Sequence, residues 1–507
     1  MSQHASLRLL AVGIVALILI TRLPALGHRD SINDESYYSV VANEMLHGGL
    51  PYRDAVDRKP PLLFVVYWAV YRVAGFPNWP ALHLAAVAWT LATMTVLFWL
   101  GRRLFSPRAG LAAAFLYGAF LPFETLGNLA FNGEMLMNLP IVAALAVALR
   151  PGSGEGDMLL AGGLVAVATL LKQPAGIALL PLGIYALHPG YRTARHFGPM
   201  RAWVNAALVG VGFGLVMAAA GVILQHFGIL ADAWYWAVVD HDVPHGPLDL
   251  VFWRAAAWNG AQFALFCGPL LLGAWLSLRA PERWRCLEAE RVALIAFLVA
   301  SAIGTAASGR FFQHYFLQLL PPLALLAAPA LADLWSEPDV SAQPRLRAAT
   351  IGWTLLSVLL SLGIEVYDGL LRPPPVRPAV AWLSAHATPG ERLFIWGQDP
   401  HYYLATGTRP ASRYFAAFPL TGYVFGAPES WDPNFGTSKR IAPGAWDTLA
   451  KDFALHPPRY IVDTDAPRTV PRYPIPGFPY LSQLLEDQYE LRFRGTDGLV
   501  YERREVN

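Results

Sequence analysis

PLLFVVYWAVYRVAG, residues 61–75, is the stretch on which the topology of the whole chain turns. It is apolar enough to pass for a membrane span, yet it is short, contains Arg72 and follows Lys59-Pro60 directly. A helix needs about 20 apolar residues to cross the hydrocarbon core. If 61–75 crosses, every later loop changes sides. The chain around it is 55% hydrophobic and only 15% charged over 507 residues, against the roughly 25% charge of soluble proteins. Repeated apolar runs supply the difference, so the sequence describes a polytopic membrane protein.

Spans are predicted near 9–26, 81–100, 109–123, 135–149, 157–171, 174–188, 202–225, 255–278, 292–308, 314–333 and 349–367, a bundle of about 11–13 transmembrane helices. The first run lacks a small-residue cleavage site and reads as an uncleaved anchor. With the amino terminus cytoplasmic and 61–75 lying in the interface, the inner loops begin near 101, 150, 189, 279 and 334. Those loops hold Arg102, Arg103, Arg150, Arg192, Arg283, Arg285 and Arg345 among other arginines. The later outer loops hold few bases, chiefly Lys172, Arg254 and Arg310. Counting 61–75 as a span puts the arginine-rich loops outside, against the positive-inside rule. Residues 61–75 are therefore predicted to form an interfacial helix within a first outer loop of about 27–80. Residues 1–367 then make the transmembrane domain, and 368–507, with strand-like RLFIWG and RYIVD among turns, an extracytoplasmic α/β domain.

Composition also excludes. Net charge is +2, with no basic stretch dense enough to track nucleic-acid phosphates. Cys267 and Cys286 are too few for a disulfide framework. Asp240, His241, Asp242 and His245 in VVDHDVPHG fit no standard zinc spacing, and no glycine-rich phosphate loop follows a strand. Trp431, Asp432, Trp446 and Asp447 read as surface residues of the tail domain, with glycan contact the alternative.

The first outer loop concentrates ionisable chemistry. Asp34 or Glu35 could take a proton from a hydroxyl as general base, or could serve only as first-turn acids of a helix capped at Asn33-Asp34. Lys59, before Pro60-Pro61, stands where lipid phosphates lie and could hold one as a point charge, or could simply snorkel.

The order Asp34-Glu35-x-x-Tyr38, then Asn43-Glu44-Met45-Leu46-x-Gly48-Gly49, then Lys59-Pro60-Pro61-Leu62 resembles the first periplasmic loop of the GT-C integral-membrane glycosyltransferases that use polyprenyl-phosphate sugars. These include the protein O-mannosyltransferases, the aminoarabinose transferase of lipid A and the rhizobial galacturonosyltransferases. Phe131-Asn132-Gly133-Glu134, Leu171-Lys172-Gln173-Pro174, Arg310-Phe311-Phe312-Gln313-His314-Tyr315, Trp396-Gly397-Gln398-Asp399-Pro400 and Ser412-Arg413-Tyr414 extend the resemblance. It implies catalytic roles for Asp34, Glu35 and Glu134, and donor phosphate or sugar contacts for Lys59, Lys172, Arg310, His314, Tyr315 and Tyr38. The expected reaction moves a sugar from a polyprenyl-phosphate donor to a hydroxyl of an envelope glycolipid or glycan, with inversion. It would run on the outer face of a bacterial plasma membrane and need no metal or other cofactor. The partners implied are the lipid-linked donor, the acceptor and membrane lipids. A transporter or flippase, which would place ionisable residues at the midplane, and a protein O-mannosyltransferase are the alternatives.

Overall fold

The computed structural model describes residues 3–27, 34–123, 129–194, 196, 198–240, 246–280, 284, 288–336, 344–423, 437–468 and 472–505. In chain order the helices begin with α1 (Gln3–Gly27), α2 (Asp34–Leu46), α3 (Pro61–Ala74), α4 (Trp79–Leu104), α5 (Pro107–Phe120), α6 (Gly133–Ala148), α7 (Glu155–Leu171) and α8 (Leu179–Leu187). They continue as α9 (Pro189–Ala194), α10 (Pro199–His226), α11 (Leu230–Trp234), α12 (Leu250–Arg279), α13 (Glu288–Ala306), α14 (Leu320–Ser336) and α15 (Pro344–Val366). The tail runs α16 (Pro378–His386), β1 (Arg392–Trp396), α17 (His401–Thr406), β2 (Arg409–Pro410), α18 (Phe418–Thr421), α19 (Ala445–Leu455), β3 (Tyr460–Asp463), α20 (Pro479–Gln488), β4 (Tyr489–Arg494) and β5 (Leu499–Arg503).

Each predicted span falls on a helical segment. Among the described residues six helical stretches are long and apolar enough to cross a membrane, including Trp79–Leu104, Pro199–His226 and Pro344–Leu371. Others, such as Gly133–Ala148 and Gln173–Leu187, are shorter. Apolarity in these has a second source, since most of α5 and α6 is buried against protein. The chain is a multi-pass membrane protein.

Contacts divide the chain into two units. One comprises residues 1–29, 79–223 and 245–372; the other comprises 30–78, 224–244 and 373–507. The sequence alone groups the first outer loop with the transmembrane domain; in the structure residues 30–78 pack with the tail.

The first unit is a helical bundle whose helices approach closely at glycines. A Cβ on Gly162 in α7 would lie 1.9 Å from the Val209 carbonyl oxygen of α10, and one on Gly212 1.9 Å from that of Leu159. Small residues that let backbones meet are how helices associate in lipid, where apolar burial gains nothing. Arg22 of α1 is buried, and its guanidinium donates to the Leu129 carbonyl (3.1 Å) and the Thr90 hydroxyl (2.6 Å). Those acceptors are what allow a cation to sit inside a membrane bundle.

The second unit is built on a five-stranded sheet of order β2-β1-β3-β5-β4. β1 runs parallel to β2 and β3, while β5 is antiparallel to β3 and β4. β1 and β3 are buried nearly throughout, and β4 alternates buried and open positions as an edge strand does. α2 joins this unit through its Glu44 carboxylate, which accepts two bonds from Arg409 (2.9 and 2.6 Å) and lies 3.8 Å from Arg392. α3 has one buried face, Leu63, Phe64, Tyr67 and Tyr71, while Val65 and Val73 face outward. Such one-sidedness suits a helix lying at an interface. Tyr38 of α2 meets the α3 face edge-on, 5.4 Å from Tyr67 between ring centres.

Candidate active site

In the second unit, Asp34 opens α2 and Lys59 stands just before α3. Their side chains meet, Nζ to Oδ2, at 3.7 Å, with 22% of the lysine and 37% of the aspartate side chain exposed. Both therefore face one solvent-accessible place. The Tyr38 hydroxyl, one helical turn on, donates to the same Asp34 oxygen (2.8 Å), and its ring lies 5.8 Å from Lys59 Nζ. Glu35 turns the other way and is fully buried. Burial pushes the Tyr67 phenol well up, and the charge of Glu35 adds to the shift. Of the two neighbouring acids, Asp34 presents its carboxylate to solvent.

Lys59 is placed by its backbone. Its N–H donates to Asp57 Oδ1 (2.9 Å) and its carbonyl accepts from the Tyr52 hydroxyl (2.7 Å). Pro60 and Pro61 then start α3 where no main-chain N–H is needed. Tyr52 itself takes a left-handed φ of 68°, a strained choice for a non-glycine residue. Burial raises the Asp57 carboxyl from its ordinary range, Lys59 opposes that shift and Asp34 adds to it. The sequence reading missed Asp57; an aspartate two residues before a lysine that precedes proline is the signal of an Asx turn. Arg58 points elsewhere, pairing with Asp240 (2.7 Å) and lying over the Phe418 ring. Asp240 thus serves an ion pair. His241, Asp242, His245, Trp431 and Asp432 lie outside the described residues, as does Cys286, and Trp446 packs with Phe478 and Trp396 in the tail domain.

The first unit holds a second constellation. Lys172 Nζ lies 2.8 Å from Glu134 Oε1, with 8% and 1% of the side chains exposed. His314 Nε2 stands 4.0 Å from the same carboxylate, and the Tyr315 ring 5.3 Å from Lys172 Nζ. Each motif has a local cause. Asn132 caps α6 by accepting the Met135 N–H (2.9 Å). A Cβ on Gly133 would lie 2.8 Å from Lys172 Cδ, so glycine there lets the lysine pass. Pro174 ends the α-helical pattern, and Lys172 leaves α7 in an extended conformation (φ −157°, ψ 123°). Arg310 sits at the turn before this group, its N–H on Ser308 Oγ (3.3 Å), followed by Phe311 at φ 52° against Phe252.

The helical membrane unit and the unit with the small C-terminal sheet make this a multi-pass membrane protein of the GT-C fold. Residues 58–221 match the family of dolichyl-phosphate-mannose-protein mannosyltransferases. The structure is similar to ArnT from Cupriavidus metallidurans, solved bound to undecaprenyl phosphate, with TM-score 0.61, 16% identity and 97% of each chain covered. It is also similar to the oligosaccharyltransferase AglB from Archaeoglobus fulgidus, solved with an inhibitory peptide and a dolichol-phosphate, with TM-score 0.52, 13% identity, and 97% of this chain and 74% of that one covered. No curated protein sequence matches the chain.

Proposed function

We propose that this protein transfers a sugar from a polyprenyl-phosphate donor to the hydroxyl of an envelope glycolipid or glycan on the non-cytosolic face of the membrane. Asp34 is the general base and Lys59 holds the donor phosphate. The observation that carries this reading is the 3.7 Å contact between two partly exposed side chains of opposite charge. An ion pair of that exposure is worth no more than about 1 kcal/mol, so a phosphate can take Lys59 from Asp34. The donor phosphodiester then neutralises the ammonium and leaves the carboxylate free to accept a proton. As the acceptor oxygen attacks the anomeric carbon, its proton passes to Asp34 and the bond from that carbon to the phosphate oxygen breaks. The leaving polyprenyl phosphate gains a second negative charge, so Lys59 binds the transition state more tightly than the donor. One displacement gives inversion. The fold, and the lipid phosphates bound in the two similar solved structures, support a lipid-linked donor.

The test uses purified protein in lipid nanodiscs with a radiolabelled polyprenyl-phosphate sugar. Asp34→Asn is expected to abolish transfer while leaving donor binding intact. Near-normal turnover by that variant would remove Asp34 from the mechanism. Mass spectrometry of envelope glycolipids with and without the gene identifies sugar and acceptor through the mass that disappears.

A further inference from the structure

Alternation along the tail sheet brings three side chains to one face. Leu491 of β4 is paired with Tyr501 of β5, and Tyr501 with Ile461 of β3, two residues before Asp463. Side chains directly opposite one another, or two apart along a strand, share a face. Leu491, Tyr501 and Asp463 therefore point the same way. α20 supplies a facing wall through Ser482, Leu485 and Glu486, set three and four positions apart on one side of the helix. A bulge follows Leu491 in β4, and a bulge bends the strand that carries it. The groove between this helix and the sheet has a volume of about 510 Å³, within the roughly 300–1,000 Å³ of small-molecule sites. We infer that it binds an uncharged pyranose unit of the acceptor glycan, whose hydroxyls donate to Asp463; the word acceptor, though not the binding, rests on the function proposed above.

Asp463 forms the floor. It is only 3% exposed, and it lines the groove. Its Oδ1 accepts the N–H groups of Asp465 (2.9 Å) and Ala466 (3.0 Å), whereas Oδ2 has no hydrogen-bond partner among the described residues. A carboxylate oxygen accepts a hydroxyl proton in a charge-assisted bond, about twice as strong as a neutral one. Burial and the charge of Asp463 push the Tyr501 phenol up, so its hydroxyl stays neutral near that carboxylate. Charge then selects the class of ligand. Arg504 is the one base on the lining among the described residues, and its guanidinium donates to the Asp487 carbonyl (3.1 Å). Against it stand Asp463, Glu486 and Glu490, the last 3.4 Å from Arg492. An anion is opposed by three carboxylates. An ammonium only donates, and it would face Arg504 as a like charge. A sugar hydroxyl both gives and takes a hydrogen bond, so it satisfies the carboxylates, the guanidinium and the Ser482 and Tyr501 hydroxyls together. The apolar flank of Leu485 and Leu491 suits the C–H edge of the ring.

The test titrates the full-length protein in lipid nanodiscs with the methyl glycosides of glucose, galactose and mannose, with the 6-phosphate of each, and with ethylammonium. Binding is followed by ligand-observed NMR. At least one glycoside is expected to bind saturably, and its 6-phosphate and ethylammonium about tenfold or more weakly. In Asp463→Asn the amide oxygen stays on the two N–H groups, so the amide nitrogen replaces Oδ2 and presents donors where an acceptor stood. That variant should weaken binding about tenfold, the loss of one charge-assisted bond. Tyr501→Phe, which keeps the ring, should weaken it several-fold, and Asp34→Asn should bind as the unaltered protein does. In transfer assays Asp463→Asn should raise the acceptor KM more than it lowers kcat, whereas Asp34→Asn loses kcat. No glycoside bound, ethylammonium or a 6-phosphate bound as tightly as the parent glycoside, or binding indifferent to Asp463 would overturn the assignment. If a glycoside binds through Asp463 but no sugar is ever transferred, the catalytic reading fails and the site stands.

Discussion

Asp34 and Lys59 neutralise each other across a partly wet surface, whereas Glu134 and Lys172 do so almost completely shielded from solvent. The two pairs should answer mutation in opposite ways. Lys59→Gln is expected to cut kcat/KM for the donor about 100-fold, the usual cost of one charge-stabilising donor, while the melting temperature hardly moves. Glu134→Gln leaves a buried ammonium beside a neutral amide and should destabilise by about 3 kcal/mol. Thermal unfolding in detergent would show a fall of several degrees, and Lys172→Met added to Glu134→Gln should recover part of it. At this scale motif order singles out Asp34, Lys59, Glu134 and Lys172 as candidates, and the structure pairs Asp34 with Lys59 and Glu134 with Lys172. Asp57 and Tyr52 were not legible, because what they hold is the Lys59 main chain, and a backbone bond leaves only a faint trace in residue type.

Among the elements, α3 could be read as a short helix from its apolar run, with its start marked by Pro60 and Pro61. Its partner could not. α2 is tied to the tail by Glu44 and Arg409, which lie 365 positions apart, and no local pattern announces a contact of that separation. The tie is bidentate, a geometry lysine cannot copy. Arg409→Lys should therefore destabilise by about 1–3 kcal/mol by leaving buried Glu44 underbonded. Limited proteolysis of the folded protein checks this, since cleavage within 47–60 should accelerate in the variant; unchanged cleavage would show that α2 is held by other contacts.

For the molecule as a whole, the split into membrane and α/β parts was visible from composition, but the membership of residues 30–78 and 224–244 was not, since segments between apolar runs carry no mark of where they dock. Stability should depend on pH through Asp463 at the end of β3. Burial pushes its carboxyl up to about 6, with Asp465 adding and the N–H groups of Ala466 and Asp465 opposing. The folded state thus holds this proton more tightly than the unfolded chain, whose value is near 3.8. The contribution is full below that lower value and lost as pH rises through 6, at most about 3 kcal/mol in all. Asp463→Asn keeps an acceptor for both N–H groups, so it should raise the melting temperature at pH 7.5 and leave it little altered near pH 4. The contact of α7 with α10 carries a different consequence. Because Gly162 and Gly212 touch the opposing main chain, a single added methyl leaves the hydrophobicity read during insertion intact but blocks the later side-by-side docking of finished helices. Gly212→Ala should therefore yield a polypeptide that is integrated in the bilayer, resistant to alkaline extraction, and still unassembled.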